Sequence, residues 1–164
     1  MKNKILLSAA ILAATSTTIF AASETFQATV TAFQEPTIDD TTEINFGKIN
    51  PAANSVCTMD NAGAVTGACI ADGNQAGVVT ISGLSANTTM NFTITGAADT
   101  VLSYVPTADI GGTLYTNATS STFTVDGSGT DVTAAVFGTL TVGAADLTSG
   151  ATVTTGYTVD VTFN

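Results

Sequence analysis

Histidine, arginine and tryptophan are absent from this 164-residue chain, lysine occurs three times and cysteine twice. Without histidine there is no side chain whose ordinary pKa suits a general base near neutrality, and without histidine or a cysteine cluster there is no nitrogen–sulfur zinc site. Without arginine there is no bidentate clamp for phosphate or carboxylate. Carboxylates, hydroxyls, one thiol pair and amines remain. Paired carboxylates for glycoside hydrolysis usually line a cleft with aromatic platforms, and the chain has no tryptophan for one. The expectation is a protein that is not an enzyme and holds no cofactor.

Long apolar runs are missing too. The stretch from Ile5 to Ala14 is well short of the roughly 20 residues a spanning helix needs. With Lys2 and Lys4 before it and Ala21, Ala22 and Ser23 after it, it has the layout of a secretory signal peptide. Residues 1–21 are therefore expected to be a leader cut near Ala21. No cysteine comes directly after it to take a lipid, and no later segment is apolar enough to insert in a membrane. Beyond the leader, Lys48 alone faces 13 acidic residues, a side-chain charge of −12. Such a surface repels phosphate backbones and anionic lipid heads, which excludes nucleic-acid and polybasic membrane roles.

In an exported chain, Cys57 and Cys69 read as a structural disulfide, closing a short loop and stabilising by about 3 kcal/mol. The alternative, a redox pair, calls for C-x-x-C spacing and a nearby cation, and neither is present.

Seven short alternating runs, each bounded by Gly, Asn, Asp or Pro, make up much of the chain after the leader: "TFQATVTAF", "TEINFGKI", "GVVTISGL", "TMNFTITG", "STFTVDG", "AAVFGTLTVG" and "YTVDVTF". Val, Ile, Thr, Phe and Tyr dominate them, so the fold class is all-β with the strand spacing of a sandwich. "VGAADLTSGATVTTG" reads as a loop and "DNAGAVTGACIADGNQAG" as a mobile excursion. The core is drawn from Phe26, Ile44, Phe46, Ile49, Val79, Ile81, Met90, Phe92, Ile94, Phe123, Val125, Phe137, Leu140 and the apolar residues of the last strand. It is thin for the chain length, and small exported sandwiches make up such a deficit with a disulfide or a partner strand.

Few motifs carry chemistry. "DGSGTD" gathers Asp126, Ser128, Thr130 and Asp131 as candidate oxygen ligands for calcium, though no bidentate Glu lies downstream, and a Gly-rich turn between strands explains the same residues. Asp39 with Asp40, and Asp60 with Asn61, read as solvated turn residues. Lys48 is either a solvated surface lysine or, if buried beside a carboxylate and an Asn, a candidate for an intramolecular isopeptide bond. Asn87, Asn91 and Asn117 open N-x-T sequons, which in a bacterial host are simply turn and strand residues.

Two strands lack an obvious partner. In "GYTVDVTFN", Tyr157, Val159, Val161 and Phe163 share one face. In "SETFQATVTAFQ", directly after the expected cleavage site, Phe26, Ala28, Val30 and Ala32 share another, and Pro36 then stops the ladder. An unpaired edge beside an apolar groove invites an added strand. When donor and groove are different surfaces, the contact is head-to-tail and propagates.

Three segments in order, "EINFGKIN", "AVFGTLTVG" and the closing "GYTVDVTFN", resemble bacterial fimbrial subunits of the archaic chaperone–usher type, their spore-coat-protein-U-like relatives, and a related group of secreted bacterial domains of unknown function. Fimbrial relatives commonly place a first cysteine soon after the N-terminal strand, whereas here both lie beyond Pro51. The resemblance implies an incomplete immunoglobulin-like β-sandwich completed by a donor strand, and a division into leader 1–21, donor extension 22–35 and pilin-like domain 36–164. It further implies passage through the periplasm with a chaperone and an outer-membrane usher, and assembly of copies into a surface fibre for attachment or biofilm. The alternatives are a secreted monomer whose first strand folds back into its own groove, and a calcium-assisted carbohydrate-binding module.

Overall fold

The computed structural model describes residues 27, 29, 30, 32 and 34–164. The chain divides into two units, Met1–Thr31 and Ala32–Asn164, and every described strand lies in the second. In chain order they are β1 (Thr37–Thr42), β2 (Lys48–Ile49), β3 (Val56–Met59), β4 (Val65–Gly67), β5 (Cys69–Ile70), β6 (Gly77–Ser82), β7 (Thr89–Gly96), β8 (Leu102–Ile110), β9 (Thr113–Thr116), β10 (Ser121–Thr124), β11 (Val132–Val142) and β12 (Tyr157–Phe163). No helix occurs among the described residues.

All pairings are antiparallel, and the sheets pack as a sandwich. One layer is a seven-stranded sheet built on β11. Along one edge β11 pairs with β8, which pairs with β9. Its other edge is shared: Val132–Val136 pair with β6, which carries β1, and Gly138–Thr141 pair with β3, which carries β4. The second layer is β10-β7-β12, and β2 with β5 forms a small separate ribbon.

Gly138 stands where the shared edge changes partner. Its φ is +139°, and a Cβ there would overlap the carbonyl oxygen of Val105. Glycine is the residue that takes such a conformation and permits so close a strand approach.

Alternation explains which faces meet. Met90, Phe92 and Ile94 of β7 are fully buried against Val79 and Ile81 of β6 and Ala134 and Val136 of β11. A second cluster joins Cys57, Leu102, Tyr104, Leu140 and Val142. One side of the sandwich is closed by the short β9–β10 connection, where Tyr115 and Phe123 both meet Phe92 edge-on with ring centroids 5.0 and 6.5 Å away. Edge-to-face packing of this kind adds to burial because ring edges are positive and ring faces negative.

The structure corrects several expectations. Phe137 is only half-buried and off the core, because Ala134, Val136, Leu140 and Val142 take the inward phase of β11; a strand cannot face both 137 and 140 inward. Asp39 and Asp40 lie in strand β1, not in a turn. The segment expected as a mobile excursion contains β4 and β5, held by pairing and by the Cys57–Cys69 disulfide. Strands β8 and β9 had no counterpart among the expected runs. Pro106 disguises β8, yet it is tolerated because β9 pairs only from Thr107 onward, so among the described residues no strand pairs with β8 at the proline on that edge, where Gly96 of β7 lies against the proline ring.

Candidate binding groove

The side of the sandwich opposite the β9–β10 connection is bounded by β1 in one layer and β12 in the other. Both are terminal in their sheets: β1 pairs only with β6 and β12 only with β7 among the described residues. Register fixes their relative direction. Thr37 pairs with Ser82 at the end of β6, and Phe163 pairs with Met90 near the start of β7. The β6–β7 turn puts those ends together, so β1 and β12 run antiparallel across the gap.

Between them lies a groove of about 490 Å³ lined by Ile38, Asp40, Val79, Tyr157 and Val159, among others. Tyr157, Val159 and Val161 are half-buried against the main core, and Phe163 is 40% exposed. Ile38, on the opposite wall, is 42% exposed. The β12 wall therefore turns a row of partly covered apolar side chains toward the gap, while the β1 wall turns Ile38 and Asp40 toward it.

The groove is mixed in character, since Asp40, Glu43, Thr154 and Thr155 line it beside the apolar side chains, and its one buried polar atom without a partner among the described residues belongs to Tyr157. The Tyr157 ring stacks edge-on with Tyr104, centroids 6.1 Å apart, and its hydroxyl is buried with no hydrogen-bond partner among the described residues. Burial first, and the negative charge of Asp40 second, push its pKa up to about 12. Asp40 is itself raised above the usual carboxylate range, by desolvation first and then by Glu43. Tyr104 is also raised, chiefly by burial, and its hydroxyl donates to the Phe137 carbonyl at 2.8 Å.

Past Tyr157 the groove continues into a cleft of about 760 Å³ between residues 44–49 and the 147–155 segment; Glu43, Ile44, Thr154 and Thr155 line both. Its apolar floor includes Phe46, Tyr104, Leu140 and Leu147, and Lys48 and Asp72 stand at its edge. Leu147 is fixed by donation from its N–H to the Pro51 carbonyl at 2.7 Å.

The remaining candidates fall elsewhere. Asp126 Oδ1 accepts from the Ser128 N–H at 2.9 Å and from the Ser128 hydroxyl, which lies 3.1 Å from the Thr130 hydroxyl. These bonds, with the Ser128 hydroxyl foremost, hold the Asp126 carboxyl below its ordinary range. The loop is thus an Asx turn satisfied from within, and Asp131 makes none of these bonds. No group of three or more His, Cys, Asp and Glu side chains suited to a metal ion occurs among the described residues. Lys48 is exposed and paired with Asp72 at 2.6 Å, an ion pair in solvent, not the buried lysine an isopeptide bond requires. Asp60 Oδ1 caps the β3–β4 turn by accepting from Ala62 and Ala64.

Of the proposed donor face, Phe26 and Ala28 lie outside the described residues, as does the leader; Val30 is 93% exposed and Ala32 is exposed. No described helix is long and apolar enough to cross a membrane. Sequence reasoning located the β12 wall but missed the β1 wall and the cleft. In "TIDDTT" a single apolar residue, Ile38, carries the signal, too little for a periodicity argument. No family model and no curated protein matches the chain.

Proposed function

We propose that the protein is a pilin-like structural subunit. Its groove between β1 and β12 accepts Phe26, Ala28, Val30 and Ala32 of a neighbouring copy, building a head-to-tail fibre on the bacterial surface for attachment or biofilm. On this reading the sandwich is an incomplete immunoglobulin-like one, and a periplasmic chaperone and an outer-membrane usher handle the open groove during export.

The observation that carries the proposal is the asymmetry of the sandwich: aromatic packing and a short connection seal one side, while two sheet-terminal strands flank a half-covered groove on the other, one wall of which is the apolar face of β12. The dimensions agree, since residues 26–32 and β12 are each seven residues long, about 20 Å of extended chain from first to last. Burying Phe26 and Val30 with two alanines gives roughly 4–7 kcal/mol per joint before ladder hydrogen bonds. Durability then comes mainly from the slow unfolding that strand withdrawal demands.

The competing arrangement is self-completion. Residues 33–36 join the donor segment to Thr37, at the Phe163 end of the groove, so a strand from the same chain would run parallel to β12. A strand from another copy is free to run antiparallel, the slightly more stable pairing.

Val30→Asp tests the proposal. An unpaired carboxylate in the groove costs several kcal/mol, comparable with the whole apolar gain. Fibres should vanish, while the variant subunit, its groove filled by a separate wild-type peptide spanning Ala22 to Gln34, should still melt cooperatively. A variant that the peptide cannot rescue, together with a stable monomer of the unaltered protein at high concentration, would assign the first strand to its own domain.

A further inference from the structure

We propose that successive copies are keyed by Glu35 of the donor against Lys48 of the acceptor, at the edge of the cleft between residues 44–49 and 147–155, with Phe33 of the same donor segment on the cleft floor. The inference rests on the donor-strand reading of the groove.

Antiparallel pairing with β12, slightly more stable than parallel, sets the direction of the incoming strand. Glu24 and Gln34 extend the donor face at its two ends. In that favoured direction Phe26 lies at the Phe163 end and Ala32 opposite Tyr157. The ladder then stops, because β12 begins at Tyr157, and the side chains beyond are released from strict alternation.

Beyond Ala32 the donor continues with Phe33, Gln34 and Glu35, an aromatic and a carboxylate two residues apart; beyond Tyr157 the acceptor opens into the cleft. Its floor is apolar, and Lys48 at its edge is the only basic side chain after Lys4. The reach is adequate. Three donor residues span about 10 Å, and Lys48 is four residues from Ile44, which lines the groove with Tyr157, at most about 14 Å of chain. Lys48 already pairs with Asp72, but an ammonium has three donors and serves a second carboxylate. On the donor side, Gln34 and Glu35 are exposed, and the Glu35 carbonyl runs beside Gly83 at the β6–β7 turn. The acidic side chain is therefore presented at the end of the body that would abut the neighbour.

Between copies that otherwise repel, one attractive pair sets orientation and encounter rate more than final affinity. The experiment is assembly of the exported protein, monitored by light scattering at low and high salt, for Lys48→Glu, Glu35→Lys and the double reversal. Each single reversal should slow assembly about tenfold at low salt, the double reversal should recover to within about twofold, and the differences should fade at about 1 M salt, where charges are screened within a few ångströms. Phe33→Ala should slow assembly at both salt concentrations. Single reversals without effect, or a double reversal slower than either single one, would overturn the keying while leaving assembly itself intact. An unaltered protein that never assembles would overturn the donor-strand reading and this inference together.

Discussion

Tyr157→Phe is the sharpest perturbation of the groove, because it deletes one atom that the folded subunit buries without reward. The hydroxyl has no hydrogen-bond partner among the described residues, whereas in the unfolded chain water solvates it. Such a group costs about 1–3 kcal/mol, so its removal should stabilise the isolated subunit by about 1 kcal/mol or slightly more, with the ring contact to Tyr104 retained. For a domain of this size, that raises the melting temperature by about 3–5 °C. Calorimetry of monomeric subunit at neutral pH measures it. The pH dependence supplies a second signature. The folded pKa of Tyr157 is pushed up to about 12 from an ordinary value of 10.0. Between those values the folded state holds the proton that the unfolded state has lost. The stability tied to that proton is complete below pH 10 and falls as pH rises toward 12. Tyr104, raised in the same direction, contributes to both proteins, so the advantage of the variant should widen above pH 10. A variant less stable than the parent by 1 kcal/mol or more would mean that the hydroxyl is well bonded and the description of the groove is wrong.

Replacing Cys57 and Cys69 by serine should lower stability by about 3 kcal/mol, seen as a lower urea midpoint; an unchanged midpoint would mean that the β3–β5 region is held without the bridge. Gly96→Ala should cost about 3 kcal/mol or more, because its Cβ would overlap the Tyr104 carbonyl oxygen and force β7 from β8; a loss under 1 kcal/mol would show that the strands part easily. Calcium at millimolar concentration should leave the melting temperature unchanged, since the Asp126 loop satisfies itself; a rise of several degrees, abolished by Asp126→Ala, would revive the calcium-assisted binding module.

Four of the longest strands were legible from alternation alone. In β6, β7, β11 and β12 the inward positions carry Val, Ile, Phe, Met or Tyr often enough for a period of two to stand out. Strand β8 obeys the same rule, but its inward positions are Leu102, Tyr104, Pro106 and Ala108, so a proline and an alanine sit where bulky side chains would have announced it. The short strands β3 to β5 depend on partners far along the chain and on the disulfide, neither of which leaves a local pattern. The groove was half legible for the same reason. Its β12 wall repeats an apolar residue at every second position, while β1 is exposed along most of its length and acquires meaning only through its register with β6. Phe137 shows the limit of composition: a large aromatic beside Val136 was expected inside, yet the phase of β11 is set by Ala134, Val136, Leu140 and Val142, and the aromatic yields.

Whether a strand from one copy lies in the groove of another is tested most directly by a covalent trap. Val30→Cys and Val159→Cys, introduced into separate pools of the protein and mixed before assembly under mild oxidation, should give a cross-linked pair of one copy from each pool, and the doubly substituted chain should give a ladder of covalent oligomers on a non-reducing gel. A doubly substituted chain that closes only on itself and runs as a monomer would contradict the account, and would place the first strand in the groove of its own subunit.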